Sequence, residues 1–199
     1  MFKRYGLILV CFVIASKLNA HPHLFIESRV VIHIDNKGIA GIENIWIFDE
    51  MFSVAIIEEQ DKNKDGYFDA TEIKTIRKEA FQNLKDYDYF THIRIDGKSF
   101  KVEDVKNFVP TIKNKKLVYT FLVPCQVEAV KQDKKIEISI FDTSYYTGIT
   151  IVDDKPKFKG KTDKFKLAGK ITRDENFVFM DQEGFPETIT IKIRTKNEE

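Results

Sequence analysis

Between Leu24 and Ile34 the side chains alternate without a break. Leu24, Ile26, Ser28, Val30, Ile32 and Ile34 fall on one face, with Phe25, Glu27, Arg29, Val31 and His33 on the other. A period of two sustained over that length fits a half-buried strand and no helix, and such a strand needs partners on its edges. Asp35-Asn36-Lys37-Gly38 reads as a hairpin turn with Gly38 free to take a positive φ, so 39–48 returns antiparallel to the first strand. Further strands are predicted at 90–96, 100–108, 117–123, 135–141, 148–152, 165–171, 177–180 and 188–194, with a second hairpin turn at Asp96-Gly97 and a lysine-rich turn at 113–116. Many short strands joined by polar turns point to a sandwich or an open barrel. The fold class expected is α+β, a mainly antiparallel β-sandwich-like domain carrying one helical insertion.

That insertion is announced by a change of period. Phe48, Phe52 and Ala55/Ile56 recur at helical spacing, and after a turn-rich stretch Ile73, Ile76, Ala80, Phe81 and Leu84 form a second stripe. Residues 48–86 therefore read as helix, loop, helix. The loop is Asp61-Lys62-Asn63-Lys64-Asp65-Gly66-Tyr67-Phe68-Asp69-Ala70-Thr71-Glu72. Calcium is a hard cation that takes six to eight oxygens, and a twelve-residue EF-hand loop supplies them at alternating places as the chain wraps the ion. Asp61, Asn63 and Asp65 stand at positions 1, 3 and 5, and Gly66 at position 6 permits the bend. Tyr67 offers its carbonyl, Asp69 binds directly or through water, and Glu72 closes the shell with both oxygens. Position 8 is Phe68, where an aliphatic side chain is usual, and the chain has no second loop to pair with. A single hand of this kind is expected to act as a structural staple, with a dissociation constant of about 10⁻⁴–10⁻³ M or somewhat tighter.

The first twenty residues have the layout of a secretory signal: Lys3-Arg4, an apolar run to Ala15, then Leu18-Asn19-Ala20. The apolar run is too short to span a bilayer stably. An uncleaved N-terminal anchor is the alternative. Cleavage after Ala20 removes Lys3, Arg4 and Lys17, so 32 basic residues become 29 against 31 acidic, a net charge of about −2. This balance argues against a nucleic-acid partner, which would call for a basic face. Cleavage also leaves Cys125 as the one thiol of the mature chain. Its setting after an apolar strand predicts burial, not catalysis. The expected organisation is a signal peptide at 1–20 and a single β-rich domain at 21–199, placed in the periplasm and not itself membrane-spanning after cleavage.

His21 and His23 open the mature chain under this reading. A terminal amine and two imidazoles can chelate nickel, copper or zinc. The square-planar amino-terminal site is excluded because Pro22 has no N–H to deprotonate. A looser site remains, with His33 or His92 as possible helpers, against the plainer account of a frayed terminus. Trp46, Phe48 and Phe52 could line a ligand pocket, but strand- and helix-spaced aromatics are more often core. Asp142 with Tyr145-Tyr146 could form a small site, though a strand end is the plainer account. No Ser/His/Asp order, phosphate-cradling glycine loop or Cys/His zinc pattern is present, so enzymatic activity is left open and disfavoured.

Several stretches taken together, namely 21–26, 46–53, the calcium-type loop, 89–97 and 141–146, resemble a bacterial periplasmic family, domain of unknown function 1007, labelled the periplasmic component of an ABC-type transport system. The family reads Asp-Pro-Thr-Tyr-Tyr where this chain has Asp142-Thr143-Ser144-Tyr145-Tyr146. The resemblance implies an exported location and a place near metal-ion uptake or efflux, with an inner-membrane metal transporter as the possible partner. The expectation is an exported calcium-binding protein, accessory to transition-metal ion transport. The alternatives are a calcium-stabilised structural or adapter protein, and a copper oxidoreductase using an N-terminal histidine brace at His21.

Overall fold

The computed structural model describes residues 24–144, 146–173 and 187–196. The signal peptide expected at 1–20, His21, His23, Tyr145 and the strand expected at 177–180 lie outside the described residues. Strand β1, Leu24–Ile34, has the burial pattern its alternation predicts: all six residues of the Leu24 face are buried. It turns at Asp35, whose carboxylate accepts the N–H groups of Lys37 at 2.7 Å and Gly38 at 3.0 Å, and Gly38 takes φ +143°. Strand β2, Gly38–Phe48, runs back along β1 in antiparallel register, with Trp46 opposite Ser28 and Asn44 opposite Val30.

Helix α1, Glu50–Gln60, is separated from the end of β2 by Asp49 alone, and α2 spans Ala70–Glu79. The second helix does not continue through Leu84 as the apolar stripe suggests. It ends at Ala80 and gives way to a 3-10 stretch, Phe81–Phe90. Within that stretch Asp88, Tyr89 and Phe90 adopt φ of 52°, 49° and 53° in succession. Non-glycine residues enter this left-handed region at a cost of order 1–3 kcal/mol each, so burial of Tyr89 and Phe90 must over-determine it.

The remaining strands are β3 Thr91–Ile95, β4 Lys98–Phe100, β5 Lys106–Lys113, β6 Lys116–Glu128, β7 Lys134–Ile140, β8 Thr147–Ile151, β9 Lys157–Gly160, β10 Phe165–Arg173 and β11 Glu187–Thr195. Asp96 and Gly97, with φ of 48° and 80°, make the tight β3–β4 turn. The strand expected at 100–108 is two strands: Val102 and Val105 are buried without joining a ladder, so apolar content there reports burial and not extension. Short, basic β9 was not anticipated.

Two sheets result. One, six-stranded, runs β5-β6-β2-β1-β8, with β9 also on β1; the other, five-stranded, runs β10-β11-β7-β3-β4. Most ladders are antiparallel, but β1 pairs in parallel with β8 and β9, a feature that alternation alone does not encode. The fold is α+β. Inward residues of both sheets, among them Ile32, Ile42, Trp46 and Phe121 of the first and Ile136, Ile138 and Ile191 of the second, form one continuous apolar cluster. Each fully buried Ile contributes about 1.5–3 kcal/mol relative to exposure. A polar bridge crosses between the sheets: Asn44 Nδ2 donates to Thr91 Oγ1 at 3.3 Å, and Thr91 Oγ1 donates to the Tyr89 carbonyl at 3.0 Å. Ser53 fastens α1 to the first sheet, its hydroxyl accepting the Leu117 N–H at 2.9 Å.

Candidate metal centre

The segment between α1 and α2 folds over its own first carboxylate. Asp61, the C-cap of α1, accepts the Asp65 N–H on Oδ1 at 3.2 Å and the Gly66 N–H on Oδ2 at 3.0 Å. Asn63 Oδ1 also accepts the Asp65 N–H, at 3.0 Å, while its Nδ2 donates to Asp65 Oδ2 at 2.9 Å. Asp65 Oδ1 accepts the Tyr67 N–H at 2.8 Å. Gly66 holds φ +83°, the bend that position 6 requires and that a side-chain-bearing residue resists.

The far end of the loop is a capping box. Asp69 is the N-cap of α2, accepting the N–H groups of Thr71 at 2.7 Å and Glu72 at 2.9 Å. Glu72 reaches back, taking the Asp69 N–H on Oε2 at 2.9 Å and the Lys62 N–H on Oε1 at 2.7 Å. One carboxylate therefore bridges the first and last turns of the loop. Asp61 is 5% exposed and Glu72 7%, whereas Asn63, Asp65 and Asp69 are open to solvent. Tyr67 has its ring 74% exposed and can offer the loop only its backbone carbonyl.

Among the described residues no group of three or more His, Cys, Asp and Glu converges at metal-holding spacing; the loop carboxylates are turned to backbone amides instead. The donor chemistry nonetheless suits a hard cation. Every side chain at positions 1, 3, 5, 9 and 12 carries at least one oxygen, and each carboxylate oxygen engaged by one amide keeps a second acceptor position. Among the described residues neither Asp61 nor Glu72 has a basic side chain within 4.0 Å. Phe68 at position 8 is half-buried and packs on the main core, using the position where a second hand would pair.

The two helper histidines part company. His33 Nε2 is taken by Glu43 Oε2 at 2.5 Å and lies nine strand residues beyond Leu24, about 30 Å away at the strand rise. His92 stacks on Phe141 with ring centroids 3.9 Å apart, and its Nε2 lies 3.1 Å from the Phe141 carbonyl. A carbonyl only accepts, so Nε2 carries the proton and Nδ1 of the neutral ring keeps its lone pair. Burial pushes the His92 pKa below its usual range, opposed by the Phe141 carbonyl and by the charges of Asp88 and Asp142.

The turn after β7 is held by its own side chain. Asp142 Oδ1 accepts the N–H and hydroxyl of Ser144 at 2.8 and 2.7 Å, and Oδ2 accepts the Thr147 N–H at 3.0 Å. Ser144 thus holds a turn in which Thr143 occupies the place of proline in the pattern it resembles. The sequence offered Asp142 with Tyr145-Tyr146 as a small site or as a plain strand end; the carboxylate holds its own turn, for which the Asp-x-Ser pattern was the available signal.

The family described as "Protein of unknown function (DUF1007)" matches residues 6–173. An uncharacterized 15.5 kDa protein in the trpE 3′ region of Spirochaeta aurantia is 29% identical over 103 residues, 51% of this chain and 71% of that one. An uncharacterized protein of Haemophilus influenzae is 25% identical over 151 residues, covering 74% and 70% of the two chains. No solved structure matches.

Proposed function

This chain belongs to the DUF1007 family, and from that premise we propose that it is an exported calcium-binding protein whose Asp61–Glu72 loop is a single EF-hand, serving as a periplasmic accessory to transition-metal transport. One observation carries the calcium reading: the carboxylates of Asp61 and Glu72 belong to residues 5% and 7% exposed, each gathers two backbone amides of an oxygen-rich loop, and among the described residues neither has a basic side chain within 4.0 Å. Charges so placed favour a counter-ion, and an oxygen-only donor set selects a hard divalent one. Calcium here works as a staple, fixing the angle between α1 and α2 against the first sheet.

The test is thermal unfolding and calorimetry across a calcium titration. At a hundredfold excess over the dissociation constant, ligation adds about 2.7 kcal/mol of stability, so the midpoint rises with calcium and Glu72→Gln abolishes the rise. Millimolar calcium that produces neither heat nor a shifted midpoint defeats the reading.

The transition-metal role rests on the family resemblance, on His21 and His23, and on His92. Donation of one ring nitrogen to a backbone carbonyl is the arrangement that fixes the other nitrogen as a metal ligand. Nickel, copper and zinc at micromolar concentration are expected to bind the mature protein and to bind His92→Gln more weakly. Intact mass decides the histidine-brace alternative, which requires a chain starting at His21. If the three metals leave the mature protein unchanged, the accessory role loses its chemistry while the calcium loop stands.

A further inference from the structure

A cavity of about 590 Å³ opens between the first sheet and the helical insertion, walled by Trp46, Phe52, Phe81, Phe90 and Tyr119 and bounded on one side by Asp142. Its volume falls in the range of small-molecule sites, which pair apolar walls with a few placed polar groups. Trp46 stacks on Phe90 at 5.8 Å, and Tyr119 meets the rings of Phe48 and Phe81 edge-on at 4.8 and 5.9 Å. These walls are core residues by burial, yet they leave this space between them.

Two independent observations concern what the space accepts. The residue Asp142 is 3% exposed, has no basic side chain within 4.0 Å among the described residues, and keeps one acceptor position on Oδ2 after its three hydrogen bonds. Phe90 joins the wall at the end of the left-handed run from Asp88, and strain of that kind gathers at ligand clamps and active sites. Aromatic faces attract cations through their quadrupole, most strongly where water is excluded. A buried anion beside such faces complements the same charge.

We propose that this cavity binds an organic ammonium ion with an apolar body, the rings enclosing its alkyl groups and the Asp142 carboxylate supplying the counter-charge. The site is separate from the calcium loop and does not rest on that reading. Neutral apolar molecules fill the same volume without meeting the carboxylate, so the difference between a cation and its uncharged isostere isolates the claim.

Trp46 is the single tryptophan of the chain, so its emission reports on the cavity wall directly. Titration with phenyltrimethylammonium and with tert-butylbenzene, followed by Trp46 emission and calorimetry, is expected to give at least tenfold tighter binding of the cation. Asp142→Asn is expected to erase that preference while leaving tert-butylbenzene affinity in place, which also certifies the variant as folded. Should Asp142→Asn fail to fold, the cation-to-neutral ratio on the unaltered protein decides alone. Equal affinity for the two probes, preference for the neutral one, or binding of neither overturns the proposal.

Discussion

Asp49 and Phe25 are joined twice, in opposite directions. The Asp49 N–H donates to the Phe25 carbonyl at 3.0 Å, and the Phe25 N–H donates to Asp49 Oδ2 at 2.9 Å. The other carboxylate oxygen, Oδ1, accepts the Phe52 N–H at 2.9 Å and so caps α1. One side chain ties the start of β1 to the start of the helix that leads into the candidate calcium loop.

Asp49→Ala removes both side-chain bonds. Loss of an N-cap costs about 0.5–2 kcal/mol, and the freed Phe25 amide adds about 1 kcal/mol. Asn offers one oxygen where Asp offers two, so Asp49→Asn is expected to retain about half of the lost stability. Urea unfolding ranks the three proteins, and amide exchange at Phe25 and Phe52 shows which bond the asparagine keeps.

Gly66→Ala isolates backbone strain in the loop. A Cβ at that position would meet nothing within 4 Å, so the φ of +83° is the whole obstacle. A cost of about 1 kcal/mol is expected, together with weaker calcium binding by calorimetry. Tyr67→Ala, which removes an exposed ring and keeps the carbonyl, is expected to leave calcium binding unchanged.

His92 gives the stability a pH dependence of known sign. Burial lowers its folded-state pKa, while the unfolded chain titrates near 6.5. The unfolded state therefore binds the extra proton first on acidification. The contribution is complete above about pH 6.5 and is lost as pH falls through the lowered folded value. The difference in urea midpoint between pH 8 and pH 5 is expected to be smaller in His92→Gln than in the unaltered protein, carboxylate titrations being common to both.

Cys125 is a free thiol on β6, buried, with its pKa raised to about 11 by burial. Its thiolate fraction at neutral pH is negligible. Ellman's reagent is expected to leave it unmodified in the folded protein and to react promptly in denaturant, so that its labelling rate follows unfolding.

Much of the strand pattern was legible because alternation is a direct image of a half-buried sheet. All six inward positions of β1 are buried, and the Asp96-Gly97 turn sits where its dipeptide predicts. The helix–loop–helix segment was legible from two apolar stripes around an oxygen-rich loop. The stripe through Phe81 and Leu84 misled because i, i+3 spacing serves a 3-10 turn as well as an α-helix. Nothing local in Asp88-Tyr89-Phe90 announces left-handed backbone; burial of two aromatic rings enforces it from outside. The parallel pairings of β1 are decided by chain segments more than a hundred residues away. For the same reason the cavity aromatics read as plain core. A space between side chains belongs to no one segment.

Phe52 and Phe81 stand on opposite sides of the loop in sequence and on the same cavity in space. Were an ion to set the angle between α1 and α2, Phe81, which follows the Ala80 cap of α2, would shift relative to Phe52. By thermodynamic reciprocity, a guest held between those rings would then sharpen the loop's affinity for calcium by the factor by which calcium sharpened its own. Two sites that share no donor atom would then titrate as one coupled system.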